Sequence, residues 1–323
     1  MLSYSILQWL MFFYFYSFFG WCFESAYVSL RKKRFVNRGF IRGPFLPLYG
    51  SGAVVMLIVS MPFSENVALT FFAGIVGATV LEYITGACME ALFKVRYWDY
   101  SNQKFNFKGY ICLSSSIAWG ALTVLMTRFI HQPIEKMILS VDNTLLTIIV
   151  IVLTIMIEAD FATSFRTALD LRDVLIHMER ARDDLVRMQK RLDVMMAVLD
   201  NTKTELASGF NNKKEQLFER NEFLKQVNLS RTEDLYRGIE DRLGSLKKAL
   251  QEKPSEYLES FRDEIAEIRG RFSTHLEKRK QTGIFKDFHK RNLILGNPTM
   301  VSKKYNAFLE ELKREIEEYK KNK

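Results

Sequence analysis

Five acidic residues stand inside or at the edges of long apolar stretches in the first half of this chain: Glu24, Glu82, Glu90, Glu158 and Asp160. Keeping an ionised carboxylate near the middle of a bilayer costs on the order of 2.5–3.5 kcal/mol, so such groups face protein or water and find partners. Glu82, Gly86 and Glu90 are four apart and share one face of a helix. Cations stand at the starts of two apolar runs, in Arg42-Gly43 and Lys108-Gly109. Carboxylates and cations at lipid depth are the chemistry of a site that binds or passes a solute. The candidate set is Glu24, Arg42, Glu82, Glu90, Lys108 and Asp160, with Glu24, Glu90 and Asp160 expected within reach of Arg42 and Lys108. The competing reading makes the same charges braces that fix helix register, the shallower acids reaching out to water. Glu82 is the deepest acid, and depth favours use for it.

Helices must hold these groups. A spanning helix needs roughly 20 mostly apolar residues, and five stretches qualify: about 4–30, 45–63, 67–93, 110–130 and 145–165. Loop 31–43 has six Lys/Arg and no acid, and loop 94–109 has four against Asp99. The alternate loops are poor in basic residues, so the basic-loop rule places the N-terminus outside and both basic loops inside. Everything after Arg166 is then cytoplasmic. The N-terminus lacks a basic n-region and a cleavage site, which predicts that the first segment stays as a membrane helix.

A gapless shift of 66 residues lays Gly20-Trp21-Cys22-Phe23-Glu24 over Gly86-Ala87-Cys88-Met89-Glu90, and Arg42-Gly43 over Lys108-Gly109. Helices one and two, and helices three and four, read as two copies of one hairpin. Parallel repeats of this kind place related sites around an axis along the membrane normal. Gly74, Gly77 and Ala78 on the third helix invite close approach by a neighbour. Gly39, Gly43, Pro44, Pro47 and Gly50 make a re-entry turn whose exposed N–H groups could hold an anion, although turn-making alone explains them better.

The second half differs in kind. Residues 1–165 carry 12 Lys/Arg and 9 Asp/Glu, while residues 166–323 carry 34 and 28. Leu171, Met178, Leu185, Leu192, Leu199 and Leu206 repeat every seven, with Val174, Ala181, Met188 and Met195 between them, which is a coiled-coil stripe. It needs a cover: a second copy of the chain, or a later helix folding back. Gly209 with Asn211-Asn212 marks a break. Further helices are expected over about 214–250, from Pro254 onward, and from Ser302 to Lys321, with interruptions at Gln281-Thr282-Gly283 and Gly296-Asn297-Pro298. The predicted class is all-α, a five-helix transmembrane bundle (two similar hairpins plus one helix) followed by a cytoplasmic helical and coiled-coil domain. The expected divisions are 1–165, 166–210 and 211–323.

Other chemistries lack their residues. Cys22, Cys88 and Cys112 form no CxxC pair and have no histidine near them, against a disulfide framework or a zinc site. No phosphate loop, GxSxG or HExxH is present, and His131, His177, His275 and His289 are isolated in sequence; no enzyme activity, metal or cofactor is expected. The net charge of +9 is spread along alternating helix faces and loops, which suits solvated surface and anionic lipid rather than nucleic acid.

The stretches GWCFES, RGPFLPLYG, YWDYS and FKGY, around a glutamate-bearing third helix, resemble the ABC-transporter permease family called CmpB-like, or type IV. The resemblance covers roughly residues 8–165, and SKKYNAFLEELKREIE near the C-terminus is similar to the end of many members. It implies a multi-pass permease subunit of a bacterial plasma membrane that depends on a separate ATPase subunit. Five helices are few for a complete permease, so a homo-oligomer among membrane lipids is expected. The alternative is a membrane-anchored coiled-coil scaffold or sensor whose tail recruits a cytoplasmic partner.

Overall fold

The computed structural model describes residues 4–204, 232–252, 256–281 and 287–321, which are mostly helical. They fall into two compact units. The first comprises Met1–Leu175 with Ile284–Lys323, and the second Ile176–Gly283. Residues 287–321, expected within a 211–323 cytoplasmic domain, therefore pack with the membrane helices.

In the first unit, α1 (Ile6–Lys32) starts on a capping box in which Ser5 and Gln8 satisfy each other's backbone N–H. Lys33 in the left-handed conformation ends it. The shorter α2 (Pro47–Ser60) has proline in its first turn, where the lost N–H costs nothing, and runs on through a 3₁₀ turn, Met61–Phe63. Asn66 caps α3 (Val67–Phe93). A two-stranded antiparallel hairpin, β1 (Asn106–Phe107) with β2 (Ile111–Cys112), leads into α4 (Leu113–Leu125). A π-helical turn, Met126–Ile130, joins it to α5 (His131–Leu139). The fourth apolar run thus continues nine residues past the expected end at 130. The last membrane helix is the first part of α6 (Asn143–Thr204), which crosses the expected boundary at 165 unbroken.

Ile6–Lys32, Val67–Phe93, Leu113–Leu139 and Asn143–Met196 are long and apolar enough to cross a membrane; Pro47–Phe63 is apolar but shorter. Helix α1 packs on α2, α2 on α3, and α3 on α4. Their shared core includes Phe12, Ala53, Met56, Ala78, Met126 and Val150. The small residues of α3 act as expected: Gly74 meets Thr123 of α4, and Gly77 meets Val55 and Val59 of α2. Phe19, Phe23, Phe72, Ile84, Ile155 and Met156 point outward, as they must on helices whose solvent is lipid. His131, isolated in sequence, is buried, with its Nδ1 2.9 Å from the Tyr16 hydroxyl and its Nε2 3.3 Å from that of Tyr4.

Two short helices close this unit, α9 (Phe288–Gly296) and α10 (Asn306–Lys321). The segment between them runs along both basic loops. Val301 pairs antiparallel with Arg96, main chain to main chain at 2.7 and 2.9 Å. Ser302 donates to the Lys94 carbonyl at 2.6 Å, and Thr299 to that of Tyr97 at 2.9 Å. Asn297 donates to the Gly39 carbonyl at 2.9 Å.

The second unit contains the rest of α6 with α7 (Thr232–Glu252) and α8 (Glu256–Gln281). Leu185, Met188, Leu192 and Met195 of the heptad stripe are buried against Tyr236, Ile239, Leu246, Ile268 and Phe272. The cover for this part of the stripe is therefore the chain's own later helices. Arg242 pairs with Asp193, and Arg271 with Asp184. Leu206, Gly209, Asn211, Asn212, Leu217, Leu224, Pro254, Thr282 and Gly283 lie outside the described residues.

Candidate functional site

The second half of α3, the start of α2 and the two basic loops enclose a cavity of about 400 Å³. Glu24, Arg38 and Glu82 line it, among the aromatic rings of Phe40, Tyr49, Phe93, Tyr97, Trp98, Tyr100 and Trp119.

Glu82 is 5% exposed, and its carboxylate is held by neutral donors. Tyr100 reaches Oε1 at 3.0 Å and Trp119 reaches Oε2 at 3.2 Å. The Ser115 hydroxyl, whose one proton is shared with the Cys112 carbonyl at 2.9 Å, stands 3.3 Å from Oε2. Among the described residues no cation pairs with it. Two neutral donors and a shared third hold the carboxylate without supplying a counter-charge.

Glu24 is held differently. Arg38 donates from Nε to Oε1 at 3.3 Å, and the Tyr49 hydroxyl to Oε2 at 2.8 Å. Arg38 is itself fixed by Asn297 and Thr299 of the closing segment, each at 3.0 Å. Glu90 repeats the arrangement. Arg96 donates from Nε to Oε2 at 2.6 Å and Tyr110 donates at 2.5 Å. Arg96 is 2% exposed, reaches Asp99 at 3.1 Å, and lies 4.6 Å from the centre of the Tyr110 ring. Burial opposes ionisation of Asp99, but hydrogen bonds from Ser101 and the charge of Arg96 outweigh it and hold this carboxyl below its usual range.

The glutamates that the 66-residue shift superposes thus carry matching partners, an arginine and a tyrosine each. Their glycines match as well. A Cβ on Gly20 would sit 2.5 Å from that of Tyr49, and a Cβ on Gly86 would sit 3.2 Å from the Tyr110 ring. In both hairpins the absent side chain lets the tyrosine approach its glutamate. Gly20→Ala is therefore expected to displace Tyr49 and destabilise the membrane unit by about 1–3 kcal/mol, as overpacking does. An unfolding midpoint in mixed micelles equal to that of the parent would remove this account of the close approach.

Arg42 and Lys108 do not meet the acids. Lys108 occupies a tight turn with Gly109, at φ 54° and 75°; its exposed side chain lies over the Phe107 ring, 5.6 Å from its centre. Arg42 turns to α6 and donates to the Thr167 hydroxyl at 3.4 Å. Asp160 accepts from the Gly43 N–H at 2.7 Å, so a carboxylate of the chain itself occupies that N–H of the re-entry turn. Glu158 is exposed. The cations that reach Glu24 and Glu90 are Arg38 and Arg96. Both lie in the basic loops already noted, but the loop path that selects them is not written in residue spacing.

The Tyr97 hydroxyl is buried at this cavity with no hydrogen-bond partner among the described residues. A cavity with one unbalanced carboxylate, one unspent hydroxyl and aromatic walls suits a ligand that is cationic and partly apolar.

Residues 11–165 match the model of the family described as "Putative ABC-transporter type IV". No curated protein and no solved structure matches the chain.

Proposed function

We propose, from that family match over the membrane half, that the chain is the permease component of a transporter, with no ATPase activity of its own. The cavity is its solute site, and the preferred solute is an organic cation. The observation that carries this reading is Glu82, a buried carboxylate held only by neutral donors in an aromatic cavity. Glu24 is balanced by Arg38, so the cavity keeps the negative charge of Glu82, and a cation enters with electrostatic and cation–π gain. In this reading five helices span the membrane, Pro47–Phe63 being the short second one. The basic loops and the 176–283 unit face the cytoplasm of a bacterial cell. With Leu185, Met188, Leu192 and Met195 of the heptad stripe covered within the chain, the membrane helices are the surface through which copies associate. Glu24, Arg38 and Glu82 are then the residues for solute contact, and Glu90 with Arg96 fixes the second hairpin beside them.

Without an ATPase of its own, such a permease needs an energising subunit. The full chain purified in mild detergent is expected to bring down a nucleotide-hydrolysing subunit in a stable ratio. Recovery from its native membrane with no such subunit, while the chain still supports uptake or export, would exclude this mode of energising.

A further inference from the structure

A second cavity, of about 330 Å³, is walled on one side by the Arg34–Arg42 loop. Arg34, Arg42, Ser164, Thr167, His289 and Asn292 contribute to its wall, and no acidic residue does. Its cations are unequally engaged. Arg34 pairs with Glu317 at 3.2 Å. Arg42 pairs with no carboxylate among the described residues and spends one donor, at 3.4 Å, on Thr167. A guanidinium carries five N–H donors in a planar fork, so most of its capacity is unused. Thr167 has already given its own proton to the Thr163 carbonyl at 2.8 Å.

Ser164, one turn before Thr167, supplies an independent observation. It is 2% exposed, it lines the cavity, and its Oγ has no hydrogen-bond partner among the described residues. Buried hydroxyls are normally satisfied, so an orphaned one beside an underused arginine marks a missing acceptor. Phe35, 78% exposed, stands between Arg34 and Val36 in the same wall. An outward-facing ring at the end of membrane helices belongs at the lipid interface, and basic pockets between such helices hold lipid headgroups.

We propose that this cavity binds a phosphate group, with Arg42 as its fork-shaped donor and Ser164 and His289 as neighbours. The phosphate can come from an anionic lipid headgroup or from solution, and both present the same tetrahedral oxygens, which a guanidinium bonds in pairs. The test uses the full chain in neutral detergent. Inorganic phosphate is titrated calorimetrically, and phosphatidylglycerol in mixed micelles is followed by native mass spectrometry, with phosphatidylcholine as the uncharged reference. The expected result is saturable binding that Arg42→Gln weakens about tenfold, as loss of a charge-assisted bond does, and that Ser164→Ala weakens severalfold. Lys33→Gln, an exposed loop charge outside the cavity, leaves it unchanged. Selective retention of phosphatidylglycerol without binding of free phosphate assigns a lipid site; binding of free phosphate assigns a solute site. Absence of both in the parent protein overturns the proposal, as does equal weakening by Lys33→Gln. If Arg42→Gln fails to fold, Ser164→Ala decides, since it removes no existing hydrogen bond: unchanged affinity in that variant overturns the proposal.

Discussion

Arg96→Met is expected to destabilise the membrane unit by about 1–3 kcal/mol, the cost of leaving the partly buried Glu90 carboxylate without its charged donor. Arg96 is almost fully buried and serves Glu90 and Asp99 together while lying against the Tyr110 ring. Methionine is about as long and unbranched, so the packing loss is small and electrostatics dominate. The main-chain pairing with Val301 does not depend on the side chain and survives the change. Unfolding of the purified chain in mixed micelles would measure the loss. The double variant Arg96→Met, Glu90→Gln should recover part of it, because a neutral amide is cheaper to leave without its cation. If single and double variants unfold together, the charge account of this brace is wrong.

Glu82→Gln is expected to act on binding and to spare the fold. Glutamine keeps one acceptor oxygen for the Ser115 and Trp119 side, and its amide NH2 then faces the Tyr100 hydroxyl, which can turn to accept. It has nearly the same volume, but it removes the negative charge. A hydrogen-bonded or ion-paired charge is worth roughly 1.5–3 kcal/mol. Affinity for a lipophilic cation such as tetraphenylphosphonium should therefore fall about ten- to a hundredfold, with the unfolding midpoint near that of the parent. Equilibrium dialysis in neutral detergent reads this directly. A Glu82→Asp variant should fall between the two, its charge kept but set back by one methylene. Unchanged affinity in Glu82→Gln would sink the cation reading. A collapse in stability with it would assign Glu82 to the brace class instead.

Much of the membrane half is legible in sequence, because membrane spans are a matter of length and apolar composition. The third helix falls on the expected 67–93. The fourth runs on to Leu139 because a π turn carries it past His131 and Gln132-Pro133, and backbone adjustments of that sort leave no composition signal. The acids were visible as exceptions in apolar runs, but their partners were not. Arg38 and Arg96 reach the glutamates, while Arg42 and Lys108 do not. That selection depends on where each loop turns: Lys108 is carried away by two consecutive positive-φ residues. The heptad stripe was legible as an apolar face in need of cover, and periodicity cannot say which strand provides it. Least legible was the return of residues 287–321 to the membrane helices. Asn297, Thr299, Val301 and Ser302 act through one or two hydrogen bonds each to loop atoms about two hundred or more positions earlier, and no local pattern announces such pairs.

That return has a bearing on how the protein is made. A ribosome releases the apolar helices into the bilayer long before it reaches Asn297, and the whole of the second compact unit is translated in between. Arg38 and Arg96 must therefore wait at the bilayer surface for the partners that pin their loops. Quality-control proteases that clip nascent chains would meet the bundle in this half-laced state, and loss of the segment from Asn297 to Ser302 would leave every span inserted but both loops untied.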